Sequence, residues 1–429
     1  MFKLFNIIIS SYYLYKCIKF NIEDETYINN MIYYIDNSGG FFIKVVQSLI
    51  PRLEYSTTIN EKIKNKIIKY YDNCNPHDFS YTKNIYKKEH GNELDEDYEI
   101  IKLIGSGSIA QVYKIRCKKT NNKYVLKVTH PNLTIDYYSF YIFYKLISKI
   151  FNLSKILPIN DMDKCIKQLY SQTNLINEVN NMCILSSCTP SDLYILPKVI
   201  KFSKNILVMT YHKKSNYKDL TIFKKNIIWL KLLLFALGTG DLVHLSHCDL
   251  HTGNYSYKNE KVIIYDMGFC ANFIRSEFDL IFSIILNQDK KESIYNFIKY
   301  FNDKPYNSKH RIKNIEQIKD NFNNLNSKNI INIIEKVMKF IIKHKLLIPI
   351  SVYNLLLVGN YFESNADIIG IGNDSETIHD KILIGFNDII NSHKIFPNME
   401  TKIKPYLKNC KKDIDKSTID MDKLKVKII

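Results

Sequence analysis

His247-Cys248-Asp249-Leu250-His251-Thr252-Gly253-Asn254, followed by the apolar run Val262-Ile263-Ile264-Tyr265 and then Asp266-Met267-Gly268, is the stretch on which the reading of this chain turns. A carboxylate at 249, an amide five residues later at 254 and a second carboxylate at 266 form a complementary set. Asp249 is suited to orient a hydroxyl or water and accept its proton. Asn254 and Asp266 offer hard oxygens to Mg²⁺ bridging nucleotide phosphates. Zinc at His247, Asp249 and His251 is the competing metal reading, weakened by the lack of a further ligand at a convincing spacing. The plain alternative is a polar loop with a satisfied aspartate and two structural histidines.

Upstream, Gly105-Ser106-Gly107-Ser108-Ile109-Ala110-Gln111-Val112-Tyr113 sets small residues between two β-prone runs, where backbone amides can approach an anion. Alone it also reads as an ordinary hairpin turn. Lys127 follows inside the apolar run Val125-Leu126-Lys127-Val128, where a charge is costly unless paired. An edge-strand lysine reaching solvent is the alternative. Glu178 lies on an amphipathic segment with Leu175, Ile176, Val179, Met182 and Leu185, at the place where a helix would pass behind the Lys127 strand. An ion pair between them would aim the lysine at the α- and β-phosphates; a solvent-facing glutamate is the bland reading.

Around these motifs, residues 1–95 read as helical, with apolar spacing at Ile43, Val46, Leu49 and Ile50 and a charged stretch from Lys87 to Asp95 that reads as a linker. Tyr98–Ile104, Ala110–Arg116 and Lys123–Val128 predict an antiparallel meander. Ile135–Leu185 returns to helical periodicity, Ile195–Val199 and Asn205–Met209 predict two more strands leading into Tyr211, and helices dominate from Asn226, interrupted by a strand at Lys261–Tyr265. The expected domains are 1–95, 96–212 and 213–429.

Composition bounds the rest. The chain has 429 residues, 46% of them hydrophobic and 24% charged, so it can bury a large core and is not a disordered or collagenous type. The net charge of +17 suggests an anionic partner, but of 60 basic residues only Arg52, Arg116, Arg275 and Arg311 are arginine, which argues against nucleic acid. The nine cysteines form no C-x-x-C pair and no zinc spacing, as expected of a reducing intracellular compartment, cytoplasmic or at a membrane surface. No run is long and apolar enough for a membrane span. Met1–Phe20 reads as a buried or membrane-surface helix rather than a targeting segment, mitochondrial or secretory.

Together these segments resemble the UbiB-type atypical kinases, the aarF-domain kinase-like family, over roughly residues 38–300. The resemblance rests on the G-S-G-S-I-A-Q-V-Y loop, V-L-K-V-T-H-P ending at Pro131, L-x-x-E-x-x-N from Leu175 to Asn181, H-C-D-L-H-T-G-N and Y-D-M-G. Gly40-Phe41-Phe42-Ile43-Lys44-Val45-Val46-Gln47 is similar to the family's K-x-G-Q helix, and Pro76-His77-Asp78-Phe79 sits at its proline-rich turn. The sequence departs from the pattern at Val46 for the K-x-G-Q glycine, Gln172-Thr173-Asn174 for E-x-D, Thr210 for the hinge acid and Thr252 for a proline.

The resemblance implies an α+β, bilobal protein-kinase-like fold with a small antiparallel-sheet N-lobe, a large helical C-lobe and an N-terminal helical extension. It implies ATP and Mg²⁺ as cofactors. Gly105, Ser106, Gly107, Ser108, Lys127, Met209 and Tyr211 would contact nucleotide, Asn254 and Asp266 the metal, and Lys127, Glu178 and Asp249 would be catalytic. Lys44 and Gln47 would stand over the nucleotide mouth as regulatory residues, occluding a peptide groove. The implied activity is that of an ATPase or small-molecule kinase serving lipid or isoprenoid quinone metabolism. Two alternatives are a non-catalytic nucleotide-sensing scaffold, whose basic segment Thr401–Ile429 could meet anionic lipid, and a phosphotransferase of the aminoglycoside or choline kinase type.

Overall fold

The computed structural model describes residues 2–53, 59–71, 73–151, 157–215, 220–251, 253–286, 289–322 and 330–356. Thr252 and the basic segment Thr401–Ile429 lie outside the described residues. The helices in chain order are α1 (Phe2–Phe20), α2 (Glu25–Asp36), α3 (Gly40–Leu53), α4 (Glu61–Ile68), α5 (Phe79–His90), α6 (Leu94–Asp97), α7 (Leu133–Ile150), α8 (Met162–Ser171), α9 (Leu175–Cys188), α10 (Ile222–Val243), α11 (Arg275–Leu286), α12 (Lys290–Asn302), α13 (Gln317–Asn321) and α14 (Ile330–Lys343). The strands are β1 (Tyr98–Ser106), β2 (Ala110–Cys117), β3 (Lys123–Thr129), β4 (Tyr194–Ile195), β5 (Val199–Phe202), β6 (Ile206–Thr210), β7 (Leu245–His247), β8 (Tyr255–Lys258), β9 (Lys261–Ile264) and β10 (Cys270–Asn272). The fold is α+β and kinase-like. It divides into two compact units: one holds Met1–Leu157, Asp161–Asn181 and Pro197–Lys213, the other Pro158–Asn160, Met182–Leu196 and the chain from Lys214 onward.

The first unit is built on an antiparallel sheet of order β1-β2-β3-β6-β5. One face buries Tyr98, Tyr113, Ile115, Leu126, Val128, Ile206 and Val208 against Tyr86 of α5 and Leu94 of α6. The stretch Lys87–Asp95 is therefore not a linker: its first four residues close α5, and Leu94 is core. One of its carboxylates, Glu89, is used on the turn between β5 and β6, while Glu93 and Asp95 pair with Lys87 and Lys83 of α5. Glu89 accepts from the Asn205 amide N–H at 3.1 Å; just beyond the stretch, Asp97 accepts from the Tyr86 hydroxyl at 2.6 Å and from Lys201 at 3.2 Å.

The strand expected over Ile195–Val199 is in fact two. β4 pairs in parallel with β9 in the second unit, whereas β5 pairs with β6 in the first. Pro197 falls between them, and a residue without an N–H and with fixed φ breaks one ladder and lets the chain start another.

In the second unit α10 is nearly all apolar and buried from Ile227 to Leu237 except Trp229 and Lys231. Lys231 is buried too. Its ammonium donates to the Glu260 carbonyl at 2.6 Å, and burial pulls its pKa down to about 8. Downstream on this helix Asp241 meets the Arg275 guanidinium at 2.8 Å, and Ser246 of β7 donates to the Ala236 carbonyl at 2.9 Å. These contacts fix β7 and the start of α11 on α10. Among the described residues no helix is long and apolar enough to cross a membrane.

Candidate active site

Lys127 sits in β3, the middle strand of its sheet, and not at an edge. Residue exposure is only 9%, and its ammonium donates to both oxygens of Glu178, 3% exposed, at 2.8 and 3.1 Å. The expected pair thus forms, from α9 to β3 across 51 residues of sequence. Two charges this deeply buried persist only when each neutralises the other. The neighbouring strand β6 carries Met209, buried opposite Val125, and leads to Tyr211, whose ring lies 4.1 Å from the Lys114 ammonium. Thr210 of β6 accepts from the Lys198 N–H at 2.9 Å.

The glycine hairpin between β1 and β2 is closed by Gly107 N–H donating to the Ala110 carbonyl at 2.9 Å, and three outside elements hold it. Cys74 N–H donates to the Ser106 carbonyl at 2.7 Å. His130, just after β3, donates its own N–H to the Ile109 carbonyl and bonds through Nε2 to the Gly107 carbonyl, both at 2.8 Å. From α3, the Gln47 side-chain carbonyl accepts from the Ser108 hydroxyl at 2.8 Å, both residues being buried. The Ser106 hydroxyl is buried with no partner among the described residues. Gln47 therefore touches the hairpin directly, while Lys44, one turn away on α3, is half-buried.

Sequence reading missed how α3 approaches the hairpin. Val46, which replaces the motif glycine, is a buried core residue. The close approach is made at Gly40, where a Cβ would fall 2.3 Å from the Ser108 carbonyl oxygen. At Gly39, with φ +98°, a Cβ would meet the Asp136 carboxylate at 2.4 Å. Asp136 belongs to α7, accepts the Gly40 and Phe41 N–H groups at the start of α3, and pairs with Lys3 of α1. Burial pushes its pKa up, opposed by Lys3 and those amides. The Gly-Gly pair before an apolar run, and an aspartate inside the apolar α7, were the signals that could have found this contact.

In the second unit a short hairpin, β8–β9, and a two-stranded ladder, β7–β10, that spans it in sequence carry the polar block. β7 pairs with β10, and β8 with β9, so that Asp249 follows β7, Asn254 precedes β8 and Asp266 follows β9. The Asn254 amide donates to the Asp249 carbonyl at 2.8 Å, which leaves its side-chain oxygen as the acceptor end. Asp266 Oδ1 accepts the Gly268 N–H at 2.7 Å. His247 is fully buried; its Nε2–H donates to the Asp266 carbonyl, and its Nδ1 accepts the Asp249 N–H at 3.1 Å. Burial lowers its pKa, which keeps the ring neutral in this role. Both ring nitrogens are engaged by backbone, so His247 has no nitrogen to give a zinc ion. His251 Nδ1 accepts the Gly253 N–H at 3.0 Å, and its Nε2 lies 3.9 Å from Asp249. No cluster of three or more His, Cys, Asp or Glu suited to a metal occurs among the described residues. A Mg²⁺ ion bound by one amide, one carboxylate and phosphate oxygens needs no such cluster.

A buried Lys–Glu pair on the middle strand of an antiparallel sheet that also carries a glycine hairpin, with an Asp-x₄-Asn block and a hairpin-borne Asp, defines the class of protein-kinase-like folds. The ABC1 atypical kinase-like domain matches residues 69–296, more than half of the sequence, and this chain belongs to that family. The "Probable protein kinase UbiB" of Blochmanniella pennsylvanica is 28% identical over 290 residues, 62% of this chain and 49% of that protein. The "ABC1 family protein MCP2 homolog" of Schizosaccharomyces pombe is 26% identical over 263 residues, 54% of this chain and 45% of that protein. This chain thus spans about half the length of the curated relatives it matches. Among solved structures, the streptomycin-ATP-APH(2")-IIa ternary complex aligns over 58% of this chain and 95% of its own at 14% identity and a TM-score of 0.25, too loose an overlay to carry any inference.

Proposed function

We propose that this chain is an atypical kinase or ATPase that binds Mg-ATP and transfers or hydrolyses its γ-phosphate. The observation that carries the reading is the Lys127–Glu178 pair. A buried cation paired with a carboxylate on a middle strand has little structural purpose that an apolar pair would not serve better, and it is the group that α- and β-phosphates require. Gly105–Ser108 would supply backbone contacts to phosphate, and Met209 and Tyr211 the wall for the base. Asn254 and Asp266 would hold Mg²⁺, whose role is to neutralise phosphate charge. Asp249 would orient the attacking hydroxyl or water and take its proton. The donor set fits the ion, since a side-chain amide oxygen and a carboxylate are hard ligands.

Titration calorimetry with Mg-ATP, together with phosphate release, tests this. Wild type should bind with a Kd at or below about 1 mM, and Asp266→Asn should abolish turnover. Binding without turnover would move the reading to a nucleotide-sensing scaffold; absence of binding would end it. Rapid turnover with aminoglycosides or amino alcohols would favour the small-molecule phosphotransferase.

A lipid surface is the partner this reading favours, with a lipid or quinone precursor as the acceptor class that the family resemblance implies. Phe2, Phe5, Ile8, Tyr12, Tyr15 and Phe20 of α1 are each 48–69% exposed, as are Ile135, Tyr138, Ile142 and Leu146 of α7 at 51–58%. Lys16 and Lys19 lie over the Tyr12, Tyr15 and Phe20 rings, and α1 carries no acid. Aromatic and aliphatic ridges with interleaved lysines suit an anionic membrane interface.

A further inference from the structure

The fixings of the glycine hairpin include a pair of histidines that nucleotide chemistry does not call for. His77, in the segment before α5, meets His130 Nδ1 to Nδ1 at 2.8 Å, the rings crossing at 87°. His77 Nε2 lies 2.9 Å from the Thr82 hydroxyl, which is 3.3 Å from the Tyr113 hydroxyl. Gln111 ties the assembly to β2: its side-chain carbonyl accepts the His77 N–H at 2.8 Å, while its amide donates to the His77 carbonyl at 3.3 Å and to the Tyr113 hydroxyl.

The acceptor at the far end sets the direction of every proton in this chain. The Gly107 carbonyl can only accept, so His130 carries its proton on Nε2 and presents a lone pair at Nδ1. His77 must then donate from Nδ1 and accept at Nε2 from Thr82. Two neutral rings satisfy every contact. One added proton must go to His77 Nε2, and Thr82 must then turn its hydroxyl away to accept. A second would set two N–H groups against each other across 2.8 Å. The titratable and charged groups around the pair are Asp78 beside His77, which is exposed and caps Ser80, Tyr81 of α5 with its ring 4.8 Å from His77, and Tyr113 of β2.

We propose that His77 and His130 are positioning residues: as a neutral pair they latch the Gly105–Ser108 hairpin in the geometry that receives phosphate, and acid releases it. This rests on the nucleotide-binding reading. Burial and the neighbouring ring hold the His77 pKa down to about 4, and burial lowers that of His130. A released, solvated pair would titrate near 6.5. The released form therefore binds more protons between those values, and the latch weakens as pH falls through that window.

Two measurements test the latch, one of them without nucleotide. Hydrogen exchange of the peptide covering Gly105–Ile109, at one pH, should be about 3- to 10-fold faster in His130→Leu and His77→Leu than in wild type. His130→Gln, which keeps an N–H for the Gly107 carbonyl, should stay near wild type. Mg-ATP affinity at pH 7.5 should fall by a similar factor in the leucine variants. The ratio of wild-type to His130→Gln affinity should shrink about 3-fold or more between pH 7.5 and 5.5, a comparison in which the titration of the nucleotide cancels. Unchanged exchange in a folded leucine variant, or faster exchange with unchanged affinity, overturns the proposal, as does a pH-independent ratio. If wild type binds no Mg-ATP, the proposed function falls and the phosphate-positioning role with it, while exchange still decides whether the latch exists.

Discussion

Replacing Lys127 by methionine should damage both the fold of the first unit and its affinity for nucleotide, by amounts that a double mutant can separate. The side chains of Lys127 and Glu178 are 11% and 3% exposed and meet at 2.8 Å. At an effective dielectric of about 20 that separation corresponds to roughly 6 kcal/mol of gross attraction, most of it offset by the cost of desolvating both ions. Removing one partner leaves the other charge buried without this counter-ion, which costs up to about 3–5 kcal/mol. In a unit of this size the midpoint of thermal unfolding should drop by about 6–20 °C. Glu178→Leu should cost a similar amount. The double variant Lys127→Met/Glu178→Leu should be more stable than either single variant, since two apolar side chains of similar volume need no counter-ion. Differential scanning calorimetry of the four proteins measures this, with titration of Mg-ATP alongside; the double variant should recover stability and not affinity. Costs that simply add would refute the claim that each charge exists for the other, and recovered affinity would refute the assignment of Lys127 to phosphate.

Gly40→Ala puts a methyl group 2.3 Å from the Ser108 carbonyl oxygen, a backbone atom that cannot swing aside, so α3 or the hairpin must shift. The expected cost is about 1–3 kcal/mol by chemical denaturation, and wild-type stability would contradict the observed packing. Lys290 caps the last turn of α11 by donating to the Ile284 and Ile285 carbonyls at 3.0 and 2.9 Å, and burial lowers its pKa to about 7. Between pH 7 and 10.5 the unfolded chain binds the extra proton, so stability should rise with pH across that window and Lys290→Met should flatten the rise. Flotation with anionic liposomes should recover the protein in a salt-sensitive manner, and Phe5→Ser/Tyr12→Ser/Tyr138→Ser should weaken it; wild type that stays with the soluble fraction would remove the membrane contact.

Legibility in the sequence followed the distance between interacting residues. The polar block from His247 to Asp266 could be read because its parts lie within 20 residues of one another, around the single hairpin β8–β9. The meander of β1, β2 and β3 was equally plain, since alternation and turn residues are local signals. The charged stretch Lys87–Asp95 misread as a linker because Glu89 finds its partner in the turn between β5 and β6, more than a hundred residues away, and Leu94 finds its own inside the core. Polarity alone does not separate a solvated loop from one whose charges are satisfied by a sheet. The strand expected at Ile195–Val199 failed for another reason: periodicity reports that a segment is extended, not which ladder it joins.

By itself the sequence determined the chemistry available to this protein: carboxylates and an amide suited to Mg²⁺, a glycine hairpin, and one lysine in an apolar run that demanded an anion. Tertiary structure decided which groups answer one another. It set Lys127 on the middle strand against Glu178, brought Gly40 and Gln47 onto the Ser108 turn, and joined His77 to His130 across 53 residues. Local spacing fixes what a segment is. Contacts between distant segments depend on sheet order and on the fit of buried surfaces, and the free energy that selects among them is shared across the whole core.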